Sequence, residues 1–166
     1  MNIKTFELER IQSLYENTVD FNLTESGFHP YSLSELLSKE QQKELLSLSL
    51  GYGQTNGAIP LRKQIAGLYN CKNEDQVLIT NGSAEANYVL CKTLLKKGNH
   101  VVMMIPNYMQ IWGIAEDMGC KVDGFHLRHE NNWKPDLNEL RELVNPNTKM
   151  IVICNPNNPT GYVLTE

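Results

Sequence analysis

His100-Val-Val-Met-Met-Ile105 and Lys121-Val-Asp-Gly-Phe-His-Leu127 are short apolar or β-branched runs, and the segment between them has helical spacing. Similar runs lie on either side, at Gln76–Thr80 and Lys149–Cys154. Runs of this length and composition predict strands, and the intervening segments repeat apolar residues every three or four positions, as amphipathic helices do. Strand and helix alternate, which predicts an α/β fold with four parallel strands and helices on both faces.

The ends of the predicted helices carry the expected residue types. Gly98 and Gly119 follow the first two helices, where a left-handed residue commonly ends a helix. Asp136, with Glu139 three positions later, resembles a capping box at the start of the third. These residues support the predicted boundaries.

The first 75 residues contain no convincing strand. Helical stretches are predicted around Glu7–Tyr15 and Leu33–Leu50, and a Gly-rich turn follows. Pro60 suits the first turn of another helix, because the nitrogen of proline has no hydrogen to donate there. We therefore expect a helical arm over residues 1–75 and the helix-covered sheet over residues 76–166.

Composition excludes several classes of function. The chain has 166 residues and a net charge of -4, and its basic residues form no cluster, which argues against a nucleic-acid or anionic-membrane partner. The sequence contains no signal-peptide pattern and no apolar run of about 18 residues, which predicts a cytoplasmic protein. The four cysteines form no Cys-x-x-Cys pair and are predicted to be buried free thiols in a reducing compartment.

The first segment with chemical potential is Ile79-Thr-Asn-Gly-Ser-Ala-Glu-Ala86, a predicted strand that runs through small residues into a helix. Unpaired N–H groups at a helix start attract anions, so Gly82, Ser83 and Ala84 are candidates to bind a phosphate group. A serine-capped helix without any ligand explains the same residues.

Two more segments follow the carboxyl ends of predicted strands, where open α/β sheets bind ligands. Cys154-Asn-Pro-Asn-Asn-Pro-Thr-Gly161 contains two Asn-Pro pairs that restrict the backbone and orient the asparagines, although a surface turn is an alternative. Tyr108, in Ile105-Pro-Asn-Tyr108, could cover a flat ligand or simply pack. A phosphate site, an aromatic face and an amide together suit a phosphorylated aromatic cofactor.

These three segments, together with the turn Gly51-Tyr-Gly-Gln-Thr-Asn-Gly57, resemble motifs of the pyridoxal-5'-phosphate-dependent aminotransferases of fold type I, class I/II. The resemblance runs from about Asn22 to the end of the chain. It implies an N-terminal helical arm followed by part of the mainly parallel, helix-covered sheet of that family's large domain. Residues 1–75 would then be the substrate and dimer side, and residues 76–166 a partial cofactor-binding domain.

The resemblance also implies site residues and partners. The cofactor would be pyridoxal 5'-phosphate, with its phosphate on Ser83 and Ala84, its ring against Tyr108 and its 3-hydroxyl oxygen on Asn158. Tyr52 would reach the phosphate of a neighbouring subunit in a homodimer, and Gly27, in the loop Thr24–Gly27, would lie near the substrate. The implied reaction is amino group transfer between an amino acid and a 2-oxo acid.

The same resemblance places the Schiff-base lysine, and therefore the catalytic residue, beyond Glu166. We expect the 166-residue chain to be an N-terminal part of such an enzyme that does not transaminate alone and that self-associates. Alternatives are another fold-type I reaction, by a lyase, synthase or oxidase, and a non-catalytic protein that still binds the cofactor.

Two further patterns are weak evidence for a binding site. His126 and His129, with acidic neighbours, match no standard zinc spacing, so we predict no metal site. Gly51-x-Gly53-x-x-x-Gly57 has the wrong spacing for a dinucleotide fingerprint and follows no predicted strand.

Overall fold

The computed structural model of the chain describes residues 4–24, 27–28 and 30–165. The helices and strands alternate through the second half of the chain, as expected. The helices are α1 (Glu7–Tyr15), α2 (Leu33–Leu36), α3 (Lys39–Ser47), α4 (Ile59–Leu68), α5 (Gly82–Leu94), α6 (Gln110–Asp117) and α7 (Leu137–Leu143). The strands are β1 (His100–Ile105), β2 (Lys121–His126) and β3 (Thr148–Val152), and 3-10 turns lie at Glu74–Gln76 and His129–Asn131.

The three strands form a parallel sheet in the order β2-β1-β3. Because side chains alternate between the faces of a strand, β1 contributes to two separate apolar clusters. Val101 packs with Cys91 of α5 and Ala115 of α6. Val102 and Met104 pack with Phe125 on the other face, against Leu140 and Leu143 of α7. Helices therefore cover both faces, which confirms the predicted fold class.

The predicted strand at Gln76–Thr80 is wrong. Gln76 ends a 3-10 turn, and Val77–Thr80 belongs to no strand of the sheet. The segment is extended at Val77, and the Ile79 N–H donates to the Asn56 carbonyl oxygen at 3.1 Å. A run of β-branched and apolar residues favours an extended backbone, but a strand also requires a neighbouring ladder.

The amino ends of the three strands are joined by a buried histidine, His100. Its Nε2 lies 3.0 Å from Asp123 Oδ2, and its Nδ1 lies 2.7 Å from Thr148 Oγ1 and 2.9 Å from the amide nitrogen of Asn145. Since that amide can only donate, Nδ1 is the acceptor and Nε2–H donates to Asp123. A hydrogen bond from Lys121 is the main cause that lowers the pKa of Asp123, with His100 contributing.

Several helix ends follow local sequence signals. Pro60 lies in the first turn of α4, and the Asp136 side chain caps α7 by accepting from the Asn138 N–H. Glu139, however, binds Arg128 and His126 rather than completing a capping box. Gly98 and Gly119 both have positive φ, as predicted.

The predicted helical stretch Leu33–Leu50 is divided into α2 and α3. Ser32 with Glu35, and Ser38 with Gln41, each form a reciprocal capping box, so a second helix begins at Lys39. Each serine binds a backbone N–H that a continuous helix would have to pair internally. The two Ser-x-x-Glu/Gln patterns are the local signal for this break.

The chain divides into two compact units. The sheet unit comprises the chain up to Arg10 together with the residues from Thr80 onward, and the helical unit comprises Ile11–Ile79. Within the helical unit, the buried Arg62 donates to the carbonyl oxygens of Gly57 and Glu74 at 3.1 and 2.9 Å. That guanidinium connects α4 to the turns on either side of it.

The prediction of buried free thiols is confirmed for two of the four cysteines and is wrong about the burial of the other two. All four cysteines are free; Cys91 and Cys120 are buried, whereas Cys71 and Cys154 are half-buried. Burial raises the pKa of both the Cys91 and Cys120 thiols, which keeps them protonated. Among residues 4–24, 27–28 and 30–165, no helix is long and apolar enough to cross a membrane.

Candidate functional site

A cleft of about 490 Å³ lies in the sheet unit, beyond the carboxyl ends of β1 and β3. It brings together Ser83 from the start of α5, Tyr108 from the loop after β1, and Asn158 from the loop after β3. Ala84 lines a neighbouring cavity that also contacts Tyr108. Ser83 and Asn158, which lie 75 positions apart, thus share one surface. Tyr108 and Asn158 meet because the parallel strands β1 and β3 end at the same edge of the sheet, whereas Ser83 lies at the start of α5, which follows no strand among the described residues.

The start of α5 presents backbone N–H groups on this side of the unit. Asn81, the residue before the helix, makes no side-chain capping bond to the first turn. Its own N–H instead donates to the Glu85 carboxylate. Gly82 has a φ of +81°, and no atom would obstruct a Cβ there, so the backbone conformation alone favours glycine. A helix of 13 residues carries its positive dipole end here.

Tyr108 is fixed from both ends. Asn107 accepts the Tyr108 N–H at 2.7 Å, and its own amide donates to the Met104 carbonyl oxygen at 3.0 Å. The phenol donates to Glu9 Oε1 at 2.8 Å, and the Phe6 and Tyr108 rings form a T-shaped pair with 5.0 Å between ring centroids. Burial, followed by the bond to Glu9, raises the pKa of Tyr108 to about 12, so the phenol is neutral at neutral pH.

The Asn-Pro loop gives its three asparagines different positions. Asn158 is exposed and lines the cleft, and its N–H points to Cys154 Sγ at 3.4 Å. Asn155 is also exposed, and its side-chain oxygen accepts the Leu164 N–H at 2.9 Å. Asn157 is buried. The peptide bonds before Pro156 and Pro159 are both cis.

Gln110, the first residue of α6, links the two helices beside the cleft. Its amide nitrogen donates to the Ala84 carbonyl oxygen at 3.0 Å, and its side-chain oxygen accepts from Asn87 at 3.0 Å. The start of α5 is therefore held against the segment that follows Tyr108. This bridge restricts the distance between the proposed phosphate and ring contacts.

The two remaining predicted site residues lie in the helical unit. Tyr52 is fully exposed there, and its role toward a neighbouring subunit stays a prediction. Gly27 is exposed, whereas Glu25 and Ser26 of the same predicted loop lie outside the described residues. Its role near the substrate likewise stays a prediction.

His126 and His129, whose spacing matches no standard zinc site, each contact another side chain. His126 Nδ1 lies 2.7 Å from the Glu139 carboxylate, which also binds Arg128. The His129 ring packs edge-on against Trp133 at 5.7 Å between ring centroids.

Sequence reasoning did not select Glu9, Asn107, Gln110 or Asn157. Asn107 lies within Ile105–Tyr108 and Asn157 within Cys154–Gly161, so their position in these motifs was a usable signal. Their burial and hydrogen-bond partners could not be predicted from the sequence. Glu9 binds Tyr108 across 99 positions, and no local pattern indicates that contact.

The groups around the cleft fit pyridoxal 5'-phosphate in their chemistry. A helix start offers N–H groups to an anion, a tyrosine offers a flat face to a ring, and an exposed amide can bind the ring's oxygen. The fit rests on the donor types that meet there: Ser83, Tyr108 and Asn158.

Known proteins that resemble this chain are aminotransferases and related enzymes, which agrees with the chemistry of the cleft. The sequence profile described as Aminotransferase class I and II matches residues 19–166. The aspartate aminotransferase of Pyrococcus horikoshii is 33% identical over 98% of this chain and 42% of its own length. Capreomycidine synthase of Streptomyces vinaceus is 31% identical over 84% of this chain and 37% of its own length.

A solved PLP-dependent aminotransferase from Streptococcus suis superposes with a TM-score of 0.90 at 34% identity, covering 99% of this chain and 46% of that one. The chain thus spans less than half the length of these relatives. Members of the family use pyridoxal 5'-phosphate as cofactor. The chain, matched over most of its length by the profile and by these relatives, belongs to the aminotransferase class I and II family.

Proposed function

We propose that this protein takes part in pyridoxal-phosphate-dependent transfer of an amino group between an amino acid and a 2-oxo acid. The observation that carries the proposal is the single cleft shared by Ser83, Tyr108 and Asn158. Membership of the aminotransferase class I and II family supports it.

Each residue of the cleft has a proposed task. The N–H groups of Ser83 and Ala84 bind the cofactor phosphate, helped by the dipole of α5. The neutral ring of Tyr108 covers the pyridine ring, and Asn158 donates its amide to the ring's 3-hydroxyl oxygen. When bound, pyridoxal 5'-phosphate supplies an electron sink that favours loss of the substrate's Cα proton.

The wider assembly is part of the same proposal. Tyr52 contacts the phosphate of a second copy in a homodimer, and Gly27 lies beside the substrate. The full exposure of Tyr52 supports a contact with another chain. Four free cysteines support a reducing, cytoplasmic setting.

Binding of pyridoxamine 5'-phosphate tests the cofactor site. This form has no aldehyde and therefore does not condense with surface lysines. We expect saturable binding by calorimetry, weakened about twofold to tenfold by Tyr108→Ala, since a contact between two aromatic rings is worth about 0.5–1.5 kcal/mol. Tyr69→Ala, at an exposed tyrosine of the helical unit, is the matched control and should bind normally. Absence of binding by the unaltered chain would contradict the proposal.

Transfer itself is tested with 15N-labelled amino acids and unlabelled 2-oxo acids, with the product amino acids analysed by mass spectrometry. Label in the product would support amino transfer. Binding without transfer agrees with the expectation that the 166-residue chain does not transaminate alone, and absence of both binding and transfer would contradict the proposed function.

A second candidate is a synthase reaction that uses the same cofactor. The similarity to capreomycidine synthase favours it, because that relative's name does not describe amino transfer. Consumption of a labelled amino acid that depends on the cofactor but not on a 2-oxo acid would distinguish it from transfer.

A further inference from the structure

Asn157 is a buried polar residue beside the cleft, only 3% exposed. It does not line the cleft, whereas its neighbour Asn158 does. Burial of an amide is unfavourable unless its groups are paired, so a buried asparagine in a surface loop calls for a structural reason.

Every polar group of Asn157 has a partner. Its side-chain nitrogen donates to the Pro106 carbonyl oxygen at 3.1 Å. Its side-chain oxygen accepts from the Thr160 N–H at 3.2 Å and from the Thr160 hydroxyl at 2.7 Å. Its backbone N–H donates to the Tyr162 carbonyl oxygen, and its own carbonyl oxygen accepts from Gly161, both at 2.8 Å.

One of these bonds joins two separate parts of the site. Pro106 lies two positions before Tyr108, and Asn157 directly precedes Asn158. The bond between them spans 51 positions of sequence. The loop that carries the aromatic face and the loop that carries the cleft-lining amide are therefore tied by the Asn157 side chain.

We propose that Asn157 is a positioning residue, which holds Tyr108 and Asn158 at the separation needed to bind the pyridine ring of the cofactor. The inference rests on the proposed function. The start of α5, which binds the phosphate, has no hydrogen bond to Asn157 among the contacts described above. Loss of the Asn157 bond should therefore weaken ring binding and leave phosphate binding unchanged.

Asn157→Asp is the informative substitution. Aspartate keeps the size and the oxygen that accepts from Thr160, but it loses the donor and sets an oxygen against the Pro106 carbonyl oxygen. Asn155→Asp is the matched control, since it adds the same charge to the same loop. Its side chain keeps the oxygen that accepts the Leu164 N–H.

Affinities for pyridoxamine 5'-phosphate and for inorganic phosphate are measured for all three proteins. We expect Asn157→Asp to lower the affinity for pyridoxamine 5'-phosphate tenfold or more and to change the affinity for inorganic phosphate less than twofold. Asn155→Asp should change neither by more than twofold. Equal loss of both ligands in Asn157→Asp would overturn the inference by showing a general structural role, and so would unchanged binding.

A measurement on the unaltered chain covers the case in which Asn157→Asp does not fold. The Asn157 side-chain amide signals, followed by 15N NMR, should shift on addition of pyridoxamine 5'-phosphate and stay in place with inorganic phosphate. Signals that shift with neither ligand would overturn the inference. If the unaltered chain binds no pyridoxamine 5'-phosphate, the proposed function itself fails; if it binds and Asn157→Asp binds equally well, only this inference fails.

Discussion

The sheet unit and the helical unit bury their apolar residues to different degrees. In the sheet unit, Val101–Met104 of β1 are all buried between helices on two faces. In the helical unit, Ala66 is the one apolar residue that is buried among the described residues, and side chains such as Phe21 and Leu50 are almost fully exposed. A strand at the centre of a sheet is covered by its neighbours, whereas an amphipathic helix buries its apolar face only when another element packs there.

Two Phe→Ala substitutions give the largest expected contrast. Phe125 of the sheet unit is 1% exposed, and Phe21 of the helical unit is 85% exposed. Phe125→Ala leaves a core cavity and should lower the free energy of unfolding in urea by about 3–5 kcal/mol. Phe21→Ala should lower it by less than about 0.5 kcal/mol. Equal losses would show that the apolar side chains of the helical unit are covered in solution.

Gly57→Ala tests a close approach between two segments of the helical unit. Gly57 has a φ of +100°, and a Cβ there would overlap the side chain of Ile79. We expect a loss of about 1–3 kcal/mol in the free energy of unfolding, because both the backbone conformation and the contact become unfavourable. Gly53→Ala is the control, as nothing lies within 4 Å of a Cβ at that position. A loss shared by both variants would contradict this explanation.

The ion pair of Glu139 in the sheet unit predicts a dependence on pH. Hydrogen bonds from Arg128 lower the pKa of Glu139 from 4.5 to about 2, with His126 adding to the effect. Because the folded pKa is the lower one, the pair stabilises the fold above about pH 4.5, and this contribution is lost as the pH falls toward 2. At neutral pH, Glu139→Gln should therefore have a lower free energy of unfolding in urea than the unaltered chain. The difference between the two should shrink as the pH falls from about 4.5 toward 2.

Glu142→Gln, exposed on the same helix α7, provides the control for this pH dependence. A difference between Glu139→Gln and the unaltered chain that stays constant from neutral pH to acid would contradict the role of the ion pair.

The smallest effect concerns the phenol of Tyr108. The raised pKa of about 12 adds stability that is complete below pH 10 and lost as the pH rises through 12. Glu9→Ala removes the acceptor, so the pKa of Tyr108 should fall toward 10 but stay above it, because burial is the larger cause. Phenolate absorbance, as the difference from Tyr108→Phe, measures this. Glu7→Ala on the same helix should leave the pKa unchanged; an unchanged value in Glu9→Ala would contradict the assignment.

Sequence reasoning succeeded for helix starts, which depend on neighbouring residues, and failed for a strand, which depends on a distant partner. Pro60 and Asp136 lie where the sequence predicts helix starts, since capping depends on residues within one turn. The strand predicted at Gln76–Thr80 did not form, because its apolar pattern carries no information about a pairing partner. The break between α2 and α3 was local and could have been predicted from Ser38 and Gln41.

By itself, the sequence determined the alternation of strands and helices, the family, and the three segments that meet at the cleft. Periodicity, capping and turn residues act between near neighbours, and the parallel strands β1 and β3 bring the loops that carry Tyr108 and Asn158 to one edge. Only the tertiary structure decided that Asn157 is buried and donates to the Pro106 carbonyl oxygen, and that Glu9 accepts from the Tyr108 phenol. Those contacts depend on which distant segments pack together, and no spacing along the chain encodes that choice.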